Sequence, residues 1–241
     1  MTLTDEATLL GGQIELLGML PGASNYTLLG RLIPAGGDPD KFLDAPLVVY
    51  KPRRGEAPLW DFPPGTLCQR EVAAYLLAKA AGWDFVPPTV LREGPLGAGA
   101  VQAFIEHDPS ITAFDMLPGR ESELRQIAVF DMIANNADRK AGHVLLDDSG
   151  KIWGLDHGLC LNEEPKLRTV LWDFVGEPIP PADIEALARL CEFIEGEAPA
   201  DLGAYISNRE IRALQARVTE VLKDPVFPPP KTSRPYPWPP V

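Results

Sequence analysis

Residues 135–158 of the chain read NNADRKAGHVLLDDSGKIWGLDHG. Two short apolar runs, HVLLD and KIWGLD, flank the turn residues DSG, a pattern that predicts a β-hairpin. A hairpin returns its chain to the edge it left, so Asp138 and Asp156 are expected to meet there. Carboxylates brought together repel unless they share a cation, and hard oxygen ligands suit Mg²⁺ or Mn²⁺. His143 opens the hairpin five residues after Asp138 and can reach the same spot. Asp138 alone reads equally well as a helix-capping or turn residue; the set as a whole reads as a site.

The flanking sequence says what carries this hairpin. GQIELLGML, YTLLGRLI and PLVVYK are short β-rich runs separated by Pro, Gly and Asp, and predict an antiparallel sheet over residues 12–51. Thr66–Gly82 predicts a helix, with Thr66 as its cap and Gly82 as its stop. PTVLRE and GAVQAFIE predict further strands. A second helix, about Glu121–Asn135, is apolar on most faces and so is expected to be buried. PADIEALARLCEFIEG and NREIRALQARVTEVLK predict two amphipathic helices. The tail PVFPPPKTSRPYPWPPV is expected to be extended and ordered against the body. The predicted units are a sheet lobe over 1–106, a helical lobe over 107–224 and the Pro-rich tail over 225–241. The lobes meet near Gln102–His107, and clefts between lobes suit small ligands.

Composition excludes several partners. A net charge of −12 repels nucleic-acid phosphates and anionic lipid alike, so neither nucleic acid nor stable membrane association is expected. No run is long and apolar enough to span a bilayer, and the acidic start argues against a secretory signal. Cys68, Cys160 and Cys191 are odd in number and far apart, which fits neither a disulfide framework nor a CxxC metal site. A cytoplasmic location follows as the expectation.

Three further features bear on chemistry. The turn LPGASNYTLL can aim backbone N–H groups at phosphate oxygens, with Ser24 and Asn25 adding side-chain donors; an ordinary hairpin turn has the same composition. Lys51 ends an apolar strand and so projects from a rigid element, which suits holding an anion. A lysine in that role needs a carboxylate to fix its rotamer, and Glu56 and Glu71 are both candidates.

The hairpin stretch resembles the catalytic and metal-binding loops of the phosphatidylinositol 3-/4-kinase superfamily, most closely its type II 4-kinase-like branch. VVYKPRRGEAP and CQREVAAYLLAKAAGWDFVPPTVL resemble that family's lysine strand and glutamate helix, so the likeness runs over about residues 12–175. The resemblance implies an α+β, bilobal protein-kinase-like fold with a β-rich N-lobe and a mostly helical C-lobe. It implies ATP and Mg²⁺ or Mn²⁺ as cofactors, and transfer of the γ-phosphoryl group to a hydroxyl acceptor. By position, Asp138 would orient or deprotonate that acceptor, and Lys140 would neutralise charge on the moving phosphoryl group. Asp156 and His143 would hold metal. Lys51, steadied by Glu71, would hold phosphates beneath Ser24 and Asn25, and the AVQAFIEH segment, with Gln102 and Phe104, would cradle adenine.

Two departures refine the expectation. His143 stands where the family usually has Asn, and imidazole suits Mn²⁺ better than Mg²⁺, so a Mn²⁺ preference or a single metal is expected. The segment after Asp156 carries Lys166 and Arg168 against Glu163, Glu164, Asp173 and Glu177, a poor match for an anionic head group. A protein or small soluble alcohol is therefore the expected acceptor. AMP transfer on the same fold is an alternative, as is a nucleotide-binding pseudokinase or scaffold; the Pro-rich tail offers such a scaffold a protein-docking segment.

Overall fold

The structure, a computed structural model, describes residues 4–21, 25–196 and 198–241. Helix α1 (Glu6–Leu10), capped by Asp5, precedes strands β1 (Gln13–Met19), β2 (Leu28–Ile33) and β3 (Leu47–Pro52). Helix α2 (Leu67–Ala81) then leads to β4 (Thr89–Gly94) and β5 (Gly97–Ala103). The five strands form one antiparallel sheet in the order β1-β2-β3-β5-β4.

The two-residue period of β3 divides the sheet's faces. Val48 and Tyr50 point into a cluster with Leu9, Ile14, Leu28, Leu32, Val90 and Val101. Val49 and Lys51 point the other way, in register with Gln102 and Ala100 of β5. On that face Ala100 packs against Cys68 and Val72 of α2, which brings the helix under the lysine.

Helix α2 stops as expected, at Gly82 in the left-handed conformation (φ 79°), but it starts differently. Thr66 makes no capping bond; its backbone is already helical, and its hydroxyl donates to Pro63 O at 2.7 Å. Glu56 caps instead, its Oε1 accepting the Cys68 N–H at 2.8 Å. A cap needs an extended backbone to turn its oxygen toward the open N–H groups, and Thr66 lacks one.

The rest is mostly helical: α3 (Ala113–Met116), α4 (Glu121–Ala134), the hairpin β6 (Val144–Leu146) and β7 (Ile152–Gly154), then α5 (Pro181–Gly196), α6 (Ala198–Asp201) and α7 (Asn208–Lys223). Leu124, Ile127, Phe130 and Ile133 of α4 are fully buried in the largest core, with Leu187 and Leu190 of α5 and Leu214 and Val218 of α7. Leu77 and Ala81 of α2 join the same core, so α2 belongs to both lobes. The Pro-rich segment lies on the C-lobe: Phe227 enters the core, and Ile179 N–H donates to Pro225 O at 2.8 Å.

Candidate active site

The ammonium of Lys51 contacts Glu71 Oε1 and lies 3.0 Å from Asp156 Oδ1. Burial alone would lower its pKa, but Asp156 and Glu71 outweigh that and hold it above the usual lysine value. Glu71 is 2% exposed, and its second oxygen accepts the backbone N–H of His157 at 3.0 Å. One carboxylate thus ties β3 to the loop after β7. Of the two candidate partners for Lys51, Glu71 fills the position, while Glu56 caps α2.

Asp156 adopts φ 56°, a left-handed backbone that aspartate reaches more readily than most non-glycine residues but still at a cost of about 1 kcal/mol. The turn leaves the Asp156 carboxylate half-exposed beside Lys51 while His157 is wholly buried. Lys51 keeps the Asp156 carboxylate well below the usual range. His143 Nε2 lies 3.4 Å from the other oxygen of Asp156. Burial depresses the His143 pKa to about 4, so the ring is neutral at pH 7 and has a lone pair to offer.

Among the described residues no cluster of three or more His, Cys, Asp or Glu could hold a cation unaided. Asp156 and His143 together offer two ligands, and Mg²⁺ and its analogues are commonly bound by one or two protein groups plus substrate phosphates. The pair therefore fits a metal that arrives with a nucleotide, held by Asp156 and His143.

Asp138 lies on the loop before the hairpin, half-buried, with the Lys140 ammonium 3.8 Å from its carboxylate. Burial raises its pKa to about 6; Asp156 adds to that, and Lys140, Arg168 and Arg139 oppose it. The loop rests on a dry polar scaffold. Arg139 is fully buried and pairs with Asp131 of α4, with Nη2 to Oδ1 at 2.9 Å. It also donates to Leu155 O at 2.6 Å and to His157 Nε2 at 2.8 Å. Asn136 donates to Asp131 Oδ1 at 2.9 Å and accepts from the Asp138 N–H at 3.0 Å. One buried carboxylate, through Arg139 and Asn136, thus ties α4 to both loops of the site.

Lys51, Glu71, Asp156 and His143 therefore converge, and Asp138 and Lys140 pair beside them. The residues expected to cradle adenine are arranged differently. The Gln102 side chain is buried and donates to Thr89 Oγ1, its cross-strand neighbour, at 2.8 Å. The Phe104 N–H donates to Leu47 O at 3.2 Å. Asn25 Oδ1 accepts from the Ala57 N–H at 2.7 Å, bracing the turn against the β3–α2 connection. Ser24 lies outside the described residues. Sequence reasoning missed Asp131, Asn136 and Arg139; their signal is polar residues continuing past the end of an apolar helix.

No protein-family model matches the chain. It is 38% identical to Protein Rv2133c of Mycobacterium tuberculosis over 276 residues, covering 99% of this chain and 97% of that one. Phosphatidylinositol 4-kinase gamma 4 of Oryza sativa subsp. japonica is 32% identical over 122 residues, 43% of this chain. Phosphatidylinositol 4-kinase gamma 1 of Arabidopsis thaliana is 27% identical over 169 residues, 57% of this chain. The chain spans only 22% and 30% of those two plant proteins. Among solved structures, the Helicobacter pylori proinflammatory kinase CtkA superposes with a TM-score of 0.50 at 14% identity, covering 89% of this chain and 93% of that one; this likeness bears on fold alone. The chain belongs to the family of Protein Rv2133c, is similar over part of its length to plant phosphatidylinositol 4-kinases, and has the bilobal kinase-like fold.

Proposed function

We propose that this protein is an ATP-dependent phosphotransferase that passes the γ-phosphoryl group to the hydroxyl of a soluble acceptor, a protein or a small molecule. The observation that carries the reading is the convergence of Lys51, Glu71 and Asp156, in which one buried glutamate fixes both the lysine and the metal-binding loop. A permanently charged lysine suits the α- and β-phosphates, and its rotamer is set before ATP arrives. A divalent cation on Asp156 and His143 would neutralise charge on the β- and γ-phosphates. Asp138 takes the acceptor's proton as the new O–P bond forms and ADP leaves with the old bridging oxygen. Lys140, 3.8 Å from Asp138, faces the negative charge on the transferring group.

Relatives named as phosphatidylinositol 4-kinases make a lipid acceptor the natural comparison. The net charge of −12 favours a soluble one. The test is transfer from ATP labelled at the γ- or the α-phosphate, in Mn²⁺ and in Mg²⁺, with phosphatidylinositol vesicles or cell extract as acceptor. The expected result is γ-label transfer to a soluble product, faster in Mn²⁺ and reduced about 10²–10⁴-fold in Asp138→Asn. Transfer of α-label would identify an AMP transferase, and nucleotide binding without transfer a pseudokinase.

A further inference from the structure

The Pro-rich segment ends against the loop that carries Asp138. Ala141 is fully buried, and its N–H donates to Pro240 O at 2.8 Å. The Thr169 N–H and the Trp172 indole Nε1–H both donate to Pro235 O, each at 3.0 Å. Thr169 bridges to Arg139 in parallel, with Arg139 N–H donating to Arg168 O at 3.0 Å and Val170 N–H to Arg139 O at 3.1 Å. Two carbonyls of one segment therefore hold the Asp138–His143 loop and the strip after Asn162 that flanks it.

The composition of the segment suits this task. Prolines lack an N–H, so a proline run presents carbonyl acceptors with few competing donors. Extended polyproline is also stiff before it docks and loses little entropy on docking. Both anchoring carbonyls belong to prolines, and each accepts a backbone N–H from a loop that has no strand neighbour to take it. Pro237, between them, is buried, whereas Tyr236 and Trp238 point outward, Trp238 with 89% of its surface exposed.

We infer that residues Pro235–Pro240 are a positioning element of the active site, holding Asp138 and Lys140 at the acceptor side through Ala141 and Thr169. This rests on the phosphotransferase reading. Of the residues proposed to hold nucleotide and metal, Lys51, Glu71 and Asp156 lie outside the loop that the segment anchors and only His143 lies on it, so the segment acts mainly on transfer and little on ATP affinity. Misplacing a reacting group by about 1 Å is enough to lower a rate about a hundredfold.

The test is deletion of residues 234–241, which leaves Phe227 in the core and the Lys231–Glu220 ion pair intact. Trp172→Phe, which keeps the ring but removes the donor to Pro235, is the milder variant. The expected result for the deletion is a kcat at least about tenfold lower with KM for ATP within about twofold, and faster amide exchange at Ala141 and Thr169. A synthetic peptide of residues 234–241 at about 1 mM, the effective concentration of a short tether, is expected to restore part of kcat. Trp172→Phe should fall between wild type and deletion. Unchanged kcat in the deletion, or parallel loss of kcat, ATP binding and thermal stability with no rescue by peptide, overturns the inference. A full-length chain that turns over no ATP overturns the phosphotransferase reading as well, whereas normal turnover in the deletion overturns this inference alone.

Discussion

Asp138 is tuned before any ligand arrives. Burial raises its pKa to about 6, against the pull of Lys140, Arg168 and Arg139 and with the push of Asp156. A carboxylate acts as a base only when ionised, so kcat/KM is expected to rise about tenfold per pH unit below about pH 6 and to level off above it. His143 titrates near pH 4 and Lys51 well above neutrality, so neither obscures that limb. Lys140→Met removes the foremost charge opposing the shift, and its limb should move to higher pH. A pH–rate profile of wild type and Lys140→Met checks both points, and an unmoved limb would count against Asp138 as the base. That Lys51, His143 and Asp156 come together, with Asp138 and Lys140 paired nearby, was legible because each sits at a strand or loop end where chain order fixes the neighbours. Arg139 and Asp131 were not: their pairing appears only when the end of α4 folds beneath the loop. That the amide of Gln102 bonds to Thr89 was not legible, because the strand register that sets them opposite each other is not written in its own segment.

Helix α2 is the element on which the site turns, and two adjacent residues near its start lock it to both of its neighbours. Glu71 holds the cleft side. One residue earlier, buried Arg70 pairs with Glu210 of α7 at 2.5 Å and donates to Cys160 O at 2.8 Å. Removing one partner of a buried pair leaves the other charge uncompensated, which costs about 3–5 kcal/mol. Glu210 retains its bonds to Ser207, so Arg70→Met should lose toward the lower end, about 3 kcal/mol, whereas Glu210→Gln strands the buried, always-charged guanidinium of Arg70 and should lose at least as much. Urea unfolding of the two variants measures this; equal and small losses would mean that the pair merely decorates the helix. The strand and helix order was legible because the apolar spacing of each long segment repeats several times. α1, α3 and α6, at four or five residues, complete no such period, and the Glu56 cap comes from eleven residues upstream of the helix. That α2 packs into both lobes also lay beyond its own sequence, since its alanine-rich faces differ little in polarity.

On the scale of the molecule, charge separates the cleft from its surroundings. The chain carries −12 overall, yet Lys51, Lys140 and Arg168 gather around Asp138 and Asp156. These cations, together with a divalent metal on Asp156 and His143, would draw a polyanion into the cleft while the net negative outer surface repels anionic interfaces. Among the described residues no helix is long and apolar enough to cross a membrane. The plant phosphatidylinositol 4-kinases share only 22% and 30% of their length with this chain, so any lipid-presenting surface of theirs need not lie in the shared part. Vesicles rich in phosphatidylserine and phosphatidylinositol should therefore leave the protein in the supernatant on sedimentation, at low and at moderate salt. ATP affinity should weaken as salt rises, because its phosphates are proposed to meet Lys51. The two measurements answer each other: salt-sensitive ATP binding with no vesicle binding is what a focused cleft on an acidic body produces. Salt-sensitive vesicle binding would mean that the basic groups face outward, and would return a lipid hydroxyl to the front rank of acceptors.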